Sequence, residues 1–255
     1  MGDKGAPQRP PPLALPDPRL DARILIAVPR PPAAPAEGTP VSAPAAAPQE
    51  IELKLAVDPR HLARLKTAPL LAGPRAVTKT LRNTYFDTPE GDLAARGVSL
   101  RLRHSGAKVL QTLKGPSAGG GMAMARSEWE IPAPDGHLVP QAFTDPAAQA
   151  LLEGTDLRRL GPVFSNEVKR WTRTLPLAAG LAVDVAVDQG VTHAADGREE
   201  PIAELELELA AGQDRRVLYD LALALHRVVP LRLELRTKAE RGYALARGKG
   251  GRPRP

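Results

Sequence analysis

The run Glu204-Leu205-Glu206-Leu207-Glu208-Leu209 leaves little choice of local structure. A helix would mix its carboxylates and leucines around one cylinder, whereas a β-strand sends side chains alternately to two faces, putting three Glu on one and three Leu on the other. The same alternation recurs in Glu50-Ile51-Glu52-Leu53-Lys54-Leu55, in Ser99-Leu100-Arg101-Leu102-Arg103 and in Leu231-Arg232-Leu233-Glu234-Leu235-Arg236. A single strand of this kind is explained by a half-buried sheet with one wetted face. Several together ask for more, because strands that merely keep a face wet tend to mix Thr, Ser, Gln and Lys. These sort into acidic and basic ones, which predicts two opposed ionic walls.

Between these strands the chain shows short elements joined by turns. Asp58-Pro59 opens a short helix with Leu62 and Leu65 on one side, and Asp145-Pro146 opens another to about Leu152. Strands are expected at Thr78 to Phe86, Val98 to His104, Lys108 to Lys114, Arg126 to Ile131, Val168 to Leu175, Leu181 to Asp188, Ile202 to Leu209 and Leu231 to Arg236. Ser105-Gly106-Ala107 reads as a hairpin turn and Gly119-Gly120-Gly121 as a flexible connector, since neither a helix nor a Lys-Ser/Thr pair follows it. Gln213 to His226 carries the strongest helical pattern, and a short helix is expected around Ala239 to Ala246. Eight or nine hairpin-linked strands with a few helices favour a mainly β, α+β domain built as an antiparallel barrel or sandwich. A barrel explains the alternation if its apolar face points outward under the amphipathic helices, leaving Glu50, Glu52, Lys54, Arg101, Arg103, Glu204, Glu206 and Glu208 in a wet interior. Buried charge on that scale is costly unless paired or liganded, so such an interior points to ion binding.

The formal net charge of +6 does not argue for nucleic acid. Arg247, Lys249, Arg252 and Arg254 supply +4 and residues 1–49 supply +1, which leaves the part between nearly neutral. With eight Phe, Tyr and Trp in 255 residues there is little material for base-stacking platforms either. Residues 1–49 hold 13 of the 28 prolines and read as a disordered Pro/Ala-rich leader, while residues 248–255 read as a basic tail. The longest apolar run of the leader, Ile24 to Val28, is too short for a signal core or a membrane span, so nothing argues for export and a cytoplasmic protein is expected. Cysteine is absent, His61, His104, His137, His193 and His226 are scattered without metal spacing, and there is no nucleophile-elbow motif.

Over residues 50–247 the chain resembles the CYTH proteins, the triphosphate tunnel metalloenzymes, and within them the inorganic triphosphatase branch. Glu50-Ile51-Glu52-Leu53-Lys54 is similar to their ExExK signature. In the same order follow Asn83-Thr84-Tyr85-Phe86-Asp87-Thr88-Pro89, Gly97 to Arg103, Gln111 to Lys114, Glu128-Trp129-Glu130, Val187 to Gly190, Ala203 to Leu209 and Lys238-Ala239-Glu240-Arg241-Gly242-Tyr243. The resemblance implies an eight-stranded antiparallel closed β-barrel with helices packed outside, in which carboxylates hold Mg²⁺ or Mn²⁺ and basic side chains hold a triphosphate. It implies a metal side of Glu50, Glu52, Asp188, Glu204 and Glu206, and a substrate side of Lys54, Arg101, Arg103, Lys114, Arg170 and Lys238, with Glu50, Glu52 and Lys54 at the reacting centre. Glu128 and Glu130 match the family and are read either as ligands or as partners of Arg101 and Arg103. The implied reaction is removal of the terminal phosphate of inorganic triphosphate by in-line attack of a metal-activated water, work that needs positioning and charge neutralisation and no Ser, Cys or His nucleophile. Thiamine triphosphatase, class IV adenylate cyclase and a non-catalytic triphosphate- or polyphosphate-binding module are the alternatives. Relatives of the long bacterial kind often continue into a helical, histidine-rich domain, which is not found in this sequence up to Pro255.

Overall fold

The computed structural model describes residues 49–117, 122–177, 180–210 and 213–248, with the backbone alone for Gln49 and Glu50. The leader up to residue 48, the glycine run at 119–121 and the tail from residue 249 lie outside the described residues. Eight strands carry the architecture: β1 (Gln49–Val57), β2 (Val77–Asp87), β3 (Ser99–Ser105), β4 (Lys108–Lys114), β5 (Ala123–Pro132), β6 (Gly161–Pro176), β7 (Ala182–Ala194) and β8 (Glu199–Ala210). They pair antiparallel in the order β5-β4-β3-β2-β6-β7-β8-β1, and β5 pairs with residues 49–53 of β1 to close the barrel. A ninth strand, β9 (Leu231–Leu233), takes over the same edge of β1 at residues 55–57.

The barrel is apolar outside and ionic inside, as the alternation requires. Outward-facing Ile51, Leu53, Leu55, Val183, Val185, Val187, Leu205, Leu207 and Leu209 form one buried cluster with Leu62 and Leu65 of α1 (Leu62–Lys66) and Leu218, Leu221 and Leu225 of α4 (Arg216–His226). A second cluster sets Leu100, Leu113 and Trp129 against Leu93 of α2 (Asp92–Ala95) and Ala148 and Leu152 of α3 (Pro146–Leu152). Each fully buried Leu or Val contributes about 1.5–3 kcal/mol, which is the driving force for the helices to cover this outer surface. Among the described residues no helix is long and apolar enough to cross a membrane.

The last helix, α5 (Lys238–Ala246), lies across one end of the barrel, where Ala239 and Tyr243 pack on the inward-facing rings of Tyr85 and Phe164. A capping box starts it: Glu240 N–H donates to Thr237 Oγ1 at 3.1 Å and Thr237 N–H to the Glu240 carboxylate at 2.7 Å. Gly242 lets it sit close, since a Cβ there would come within 2.0 Å of the Phe164 ring.

Three strands depart from expectation. β6 and β7 are longer than Val168 to Leu175 and Leu181 to Asp188, because the ladder continues where the inward residues are polar: Asn166 of β6 accepts from Asn83 of β2 at 2.7 Å. The strand expected at Leu231 to Arg236 stops at Leu233, since its antiparallel register runs toward Leu53, where β5 already holds this edge of β1, and Glu234 turns to bond Arg236 on the way to the cap at Thr237.

Candidate active site

Register decides which charges meet. Glu52 stands opposite Glu208, Lys54 opposite Glu206, and Asp188 opposite both Glu204 and Arg170. Glu50 sits opposite Arg126 in the backbone register, and its side chain lies outside the described residues. Inside the barrel is a cavity of about 160 Å³ lined by seven cationic side chains (Lys54, Arg101, Arg103, Lys114, Arg126, Arg170, Lys238) and five acidic ones (Glu52, Glu128, Asp188, Glu206, Glu208). A second space of about 330 Å³ adjoins it, sharing Arg170 and Glu208 and walled partly by Val77, Thr172, Val185 and Ala186.

On the acidic side the ions are tightly interlocked. Lys238 Nζ lies 2.8 Å from Asp188, 2.7 Å from Glu204 and 2.6 Å from Glu206. Arg170 forks onto Asp188 at 2.8 and 2.7 Å and reaches Glu206 at 2.5 Å. Arg241 of α5 donates to Glu204, and at 2.7 Å to both Glu200 and the Pro201 carbonyl. Lys54 Nζ is 2.9 Å from Glu52 and 3.7 Å from Glu206. Burial alone would raise the pKa of Glu206, but Lys238, Arg170 and Lys54 outweigh it and hold the carboxyl well below its ordinary range. Asp188 is likewise lowered, against burial, by Lys238 and Arg170.

The basic side is less compensated. Arg103 Nε donates to Asn83 Oδ1 at 3.0 Å, and Glu130 stands 3.6 Å away. Burial and repulsion from Arg101 and Arg170, incompletely offset by Glu130, push the Arg103 guanidinium down to about 10. Arg101 donates to the Tyr85 hydroxyl at 3.2 Å with Glu128 at 3.8 Å, and its Nε is buried without a hydrogen-bond partner. Lys114 Nζ lies 2.5 Å from Glu128. Glu128 and Glu130 thus stand as partners of the basic wall.

Apart from Glu50, whose side chain lies outside the described residues, the expected residues come together around the cavity. Arg170 and Lys238 line it and bond to carboxylates of the acidic wall, and Glu204 bonds Lys238 and Arg241. Three further residues join the site. Arg126 pairs with Glu52 at 3.1 Å, Glu208 lines the cavity beside Glu52 and Glu206, and Arg241 braces Glu204. Arg126 was detectable as the even-numbered neighbour of Glu128 and Glu130, and Arg241 as the residue one helical turn after Lys238.

The donor set fits a hard divalent cation. Glu52, Glu206 and Glu208, and separately Asp188, Glu204 and Glu206, each bring carboxylate oxygens within 4.8 Å of one another. Glu52 Oε1 is buried and makes no hydrogen bond, since the nearby Lys54 ammonium is close but not aligned on it.

The CYTH domain profile matches residues 48–243. An inorganic triphosphatase from Haemophilus influenzae is 30% identical over 209 residues, covering 77% of this chain and 55% of the relative, so the chain spans about half the relative's length. Among solved structures, a candidate adenylate cyclase from Bacillus halodurans has a TM-score of 0.52 at 18% identity, covering 75% of this chain and 96% of that one. A candidate adenylyl cyclase from Hippeastrum with a dominant triphosphatase activity has a TM-score of 0.49 at 22% identity, covering 78% and 95%. The likeness to the Bacillus halodurans protein shows the shared fold.

Proposed function

The chain belongs to the CYTH domain family, and from that premise we propose that it is a metal-dependent hydrolase that cleaves the terminal phosphate of inorganic triphosphate. The observation that carries the reading is the cavity inside the barrel, where seven cationic side chains, Arg101 and Arg103 among them, converge on one small space. Crowded cations in a closed space are relieved by a polyanion, and planar guanidinium forks match phosphate oxygens. In this reading Arg101, Arg103, Lys114 and Arg126 hold the phosphates from one wall and Lys54 from the other. Glu50 and Glu52 belong to the reacting centre, and the two carboxylate triads that share Glu206 offer places for Mg²⁺ or Mn²⁺. When bound, the cation supplies positive charge for the phosphate oxygens and the attacking water. Water adds to the terminal phosphorus, the bridging P–O bond breaks, and diphosphate and orthophosphate leave. Arg101 and Arg103 bear the charge that collects on the transferred phosphoryl oxygens.

The test is phosphate release from inorganic triphosphate, ATP and thiamine triphosphate, with Mg²⁺ and with chelator. Metal-dependent release fastest from inorganic triphosphate is the expected result, and no release from any of the three sinks the proposal. The adjoining space, where Val77, Thr172 and Ala186 stand among Arg75, Arg170, Arg173, Asp184 and Glu208, favours a second reading, in which an organic triphosphate places its non-phosphate part there. A preference for ATP or thiamine triphosphate would select it.

A further inference from the structure

The adjoining space of about 330 Å³ meets the inner cavity at Arg170 and Glu208, and α5, which walls the inner cavity with Lys238 and Ala239, lines no part of it. Three guanidinium groups, Arg75, Arg170 and Arg173, stand there with two carboxylates, Asp184 and Glu208, so the cationic surplus of the inner cavity carries on outward. Both carboxylates are engaged within the chain: Asp184 Oδ1 accepts from Thr174 Oγ1 at 2.5 Å, and Glu208 has a partner of its own. The two outer guanidinium groups have no such balance, since among the described residues neither Arg75 nor Arg173 forms an ion pair. Arg173 is nevertheless held in place. A Cβ at Gly73 would meet its stem at 3.6 Å, its guanidinium lies over the Trp171 ring 5.1 Å from the ring centre, Nη1 donates to the Leu71 carbonyl, and Nε is buried with no hydrogen bond. One carbonyl uses one of the five N–H donors that a guanidinium carries.

We propose that Arg75 and Arg173 form an outer anion subsite that binds a fourth phosphate, so that among inorganic polyphosphates the site favours chains of four or more units. The inference rests on the phosphate reading above and names its substrate class. A phosphate chain held by the cations of the inner cavity has the shared rim at Arg170 as its way into the adjoining space, and each further unit brings negative charge to guanidinium groups that lack a carboxylate. An organic group suits this space less well. Three of its ten lining residues are Val or Ala and none is Phe, Tyr or Trp, so a ring entering it would lie among guanidinium and carboxylate groups with no aromatic face to stack on. Because Arg173 is already fixed against Gly73, Trp171 and Leu71, little of the binding energy is spent on ordering it.

The experiment is calorimetric titration of the full chain with tripolyphosphate, tetrapolyphosphate and ATP in EDTA, where metal-dependent cleavage does not proceed. The wild type should bind tetrapolyphosphate at least about tenfold more tightly than tripolyphosphate. Arg173→Gln and Arg75→Gln should each weaken tetrapolyphosphate about tenfold, as the loss of one charged hydrogen bond does, and tripolyphosphate less than about threefold. Arg173→Gln also gives up the bond to Leu71, so the melting of both variants is followed; Arg75 bonds no described residue, and its substitution reports on the ligand even if Arg173→Gln loosens the fold. An equal loss for the two polyphosphates, unchanged tetrapolyphosphate binding in both variants, or a loss confined to ATP overturns the inference. A wild type that binds none of the three removes the phosphate reading and the inference with it. Tetrapolyphosphate bound with these losses, yet left intact when Mg²⁺ is added, supports the outer subsite and removes only the proposed hydrolysis.

Discussion

Around Asp188, Glu204 and Glu206 every carboxylate oxygen has a donor from Lys238, Arg170 or Arg241, whereas across the cavity Arg101 Nε has none and Arg103 is crowded by its own kind. The carboxylates of the first wall are the more deeply buried and are balanced within the chain, whereas the other wall is more exposed and carries surplus cation. Burying ions costs several kcal/mol each unless they are paired, so the balanced wall is assigned to holding the fold and the surplus wall to holding a ligand.

The largest effect should come from breaking the balanced wall. Glu206→Ala strips a partner from Lys238, Arg170 and Lys54 at once and should cost about 3–5 kcal/mol in denaturant unfolding. A loss under about 1 kcal/mol would mean that the interlocked ions are incidental. On the surplus wall the effect should be functional: Arg103→Gln removes a charged hydrogen-bond donor and should lower kcat/KM for inorganic triphosphate about 10- to 100-fold. Unchanged kinetics would remove the wall from the site.

Acid provides a further separation. Asp188 and Glu206 have folded-state pKa values below their unfolded ones, so the stability they confer is present above the ordinary carboxylate range and is lost as pH falls through the depressed values. Melting temperature should therefore decline below about pH 4, and Glu206→Gln should flatten the decline. A profile equally steep in that variant would put the acid-sensitive groups elsewhere. The smallest effect sharpens the contrast most. Without ligand, Arg103→Gln should leave stability within about 0.5 kcal/mol of wild type or raise it, because the native side chain sits among like charges. A loss resembling that of Glu206→Ala would erase the distinction between the walls.

How much of this was legible in the sequence varied with the kind of information needed. The alternation in residues 204–209 dictated strand, faces and an inward ionic lining, and the closed barrel follows from it once the apolar face is covered by helices. Face is not depth, however. Glu204 and Glu206 share a face, yet Glu204 reaches Arg241 at the α5 end while Glu206 lines the cavity. The side taken by Lys238 was unreadable for a similar reason, since it depends on where α5 docks, and that rests on Gly242 meeting Phe164 of a distant strand. The early part of β6 escaped notice because its inward Asn166 interrupts the hydrophobic pattern while the ladder continues to Asn83.

Ala239 and Tyr243 of α5 pack over Phe164 and Tyr85, and Lys238 and Ala239 line the cavity beside them, so on that side the cavity is walled by a helix. On the proposed reading, a linear polyphosphate arriving from elsewhere would be engaged at its tip, and orthophosphate cut from that tip would lie against α5 until the longer fragment had withdrawn. Chains would then shorten one unit at a time, and a tightly held diphosphate would act as a stopper that slows turnover as product accumulates.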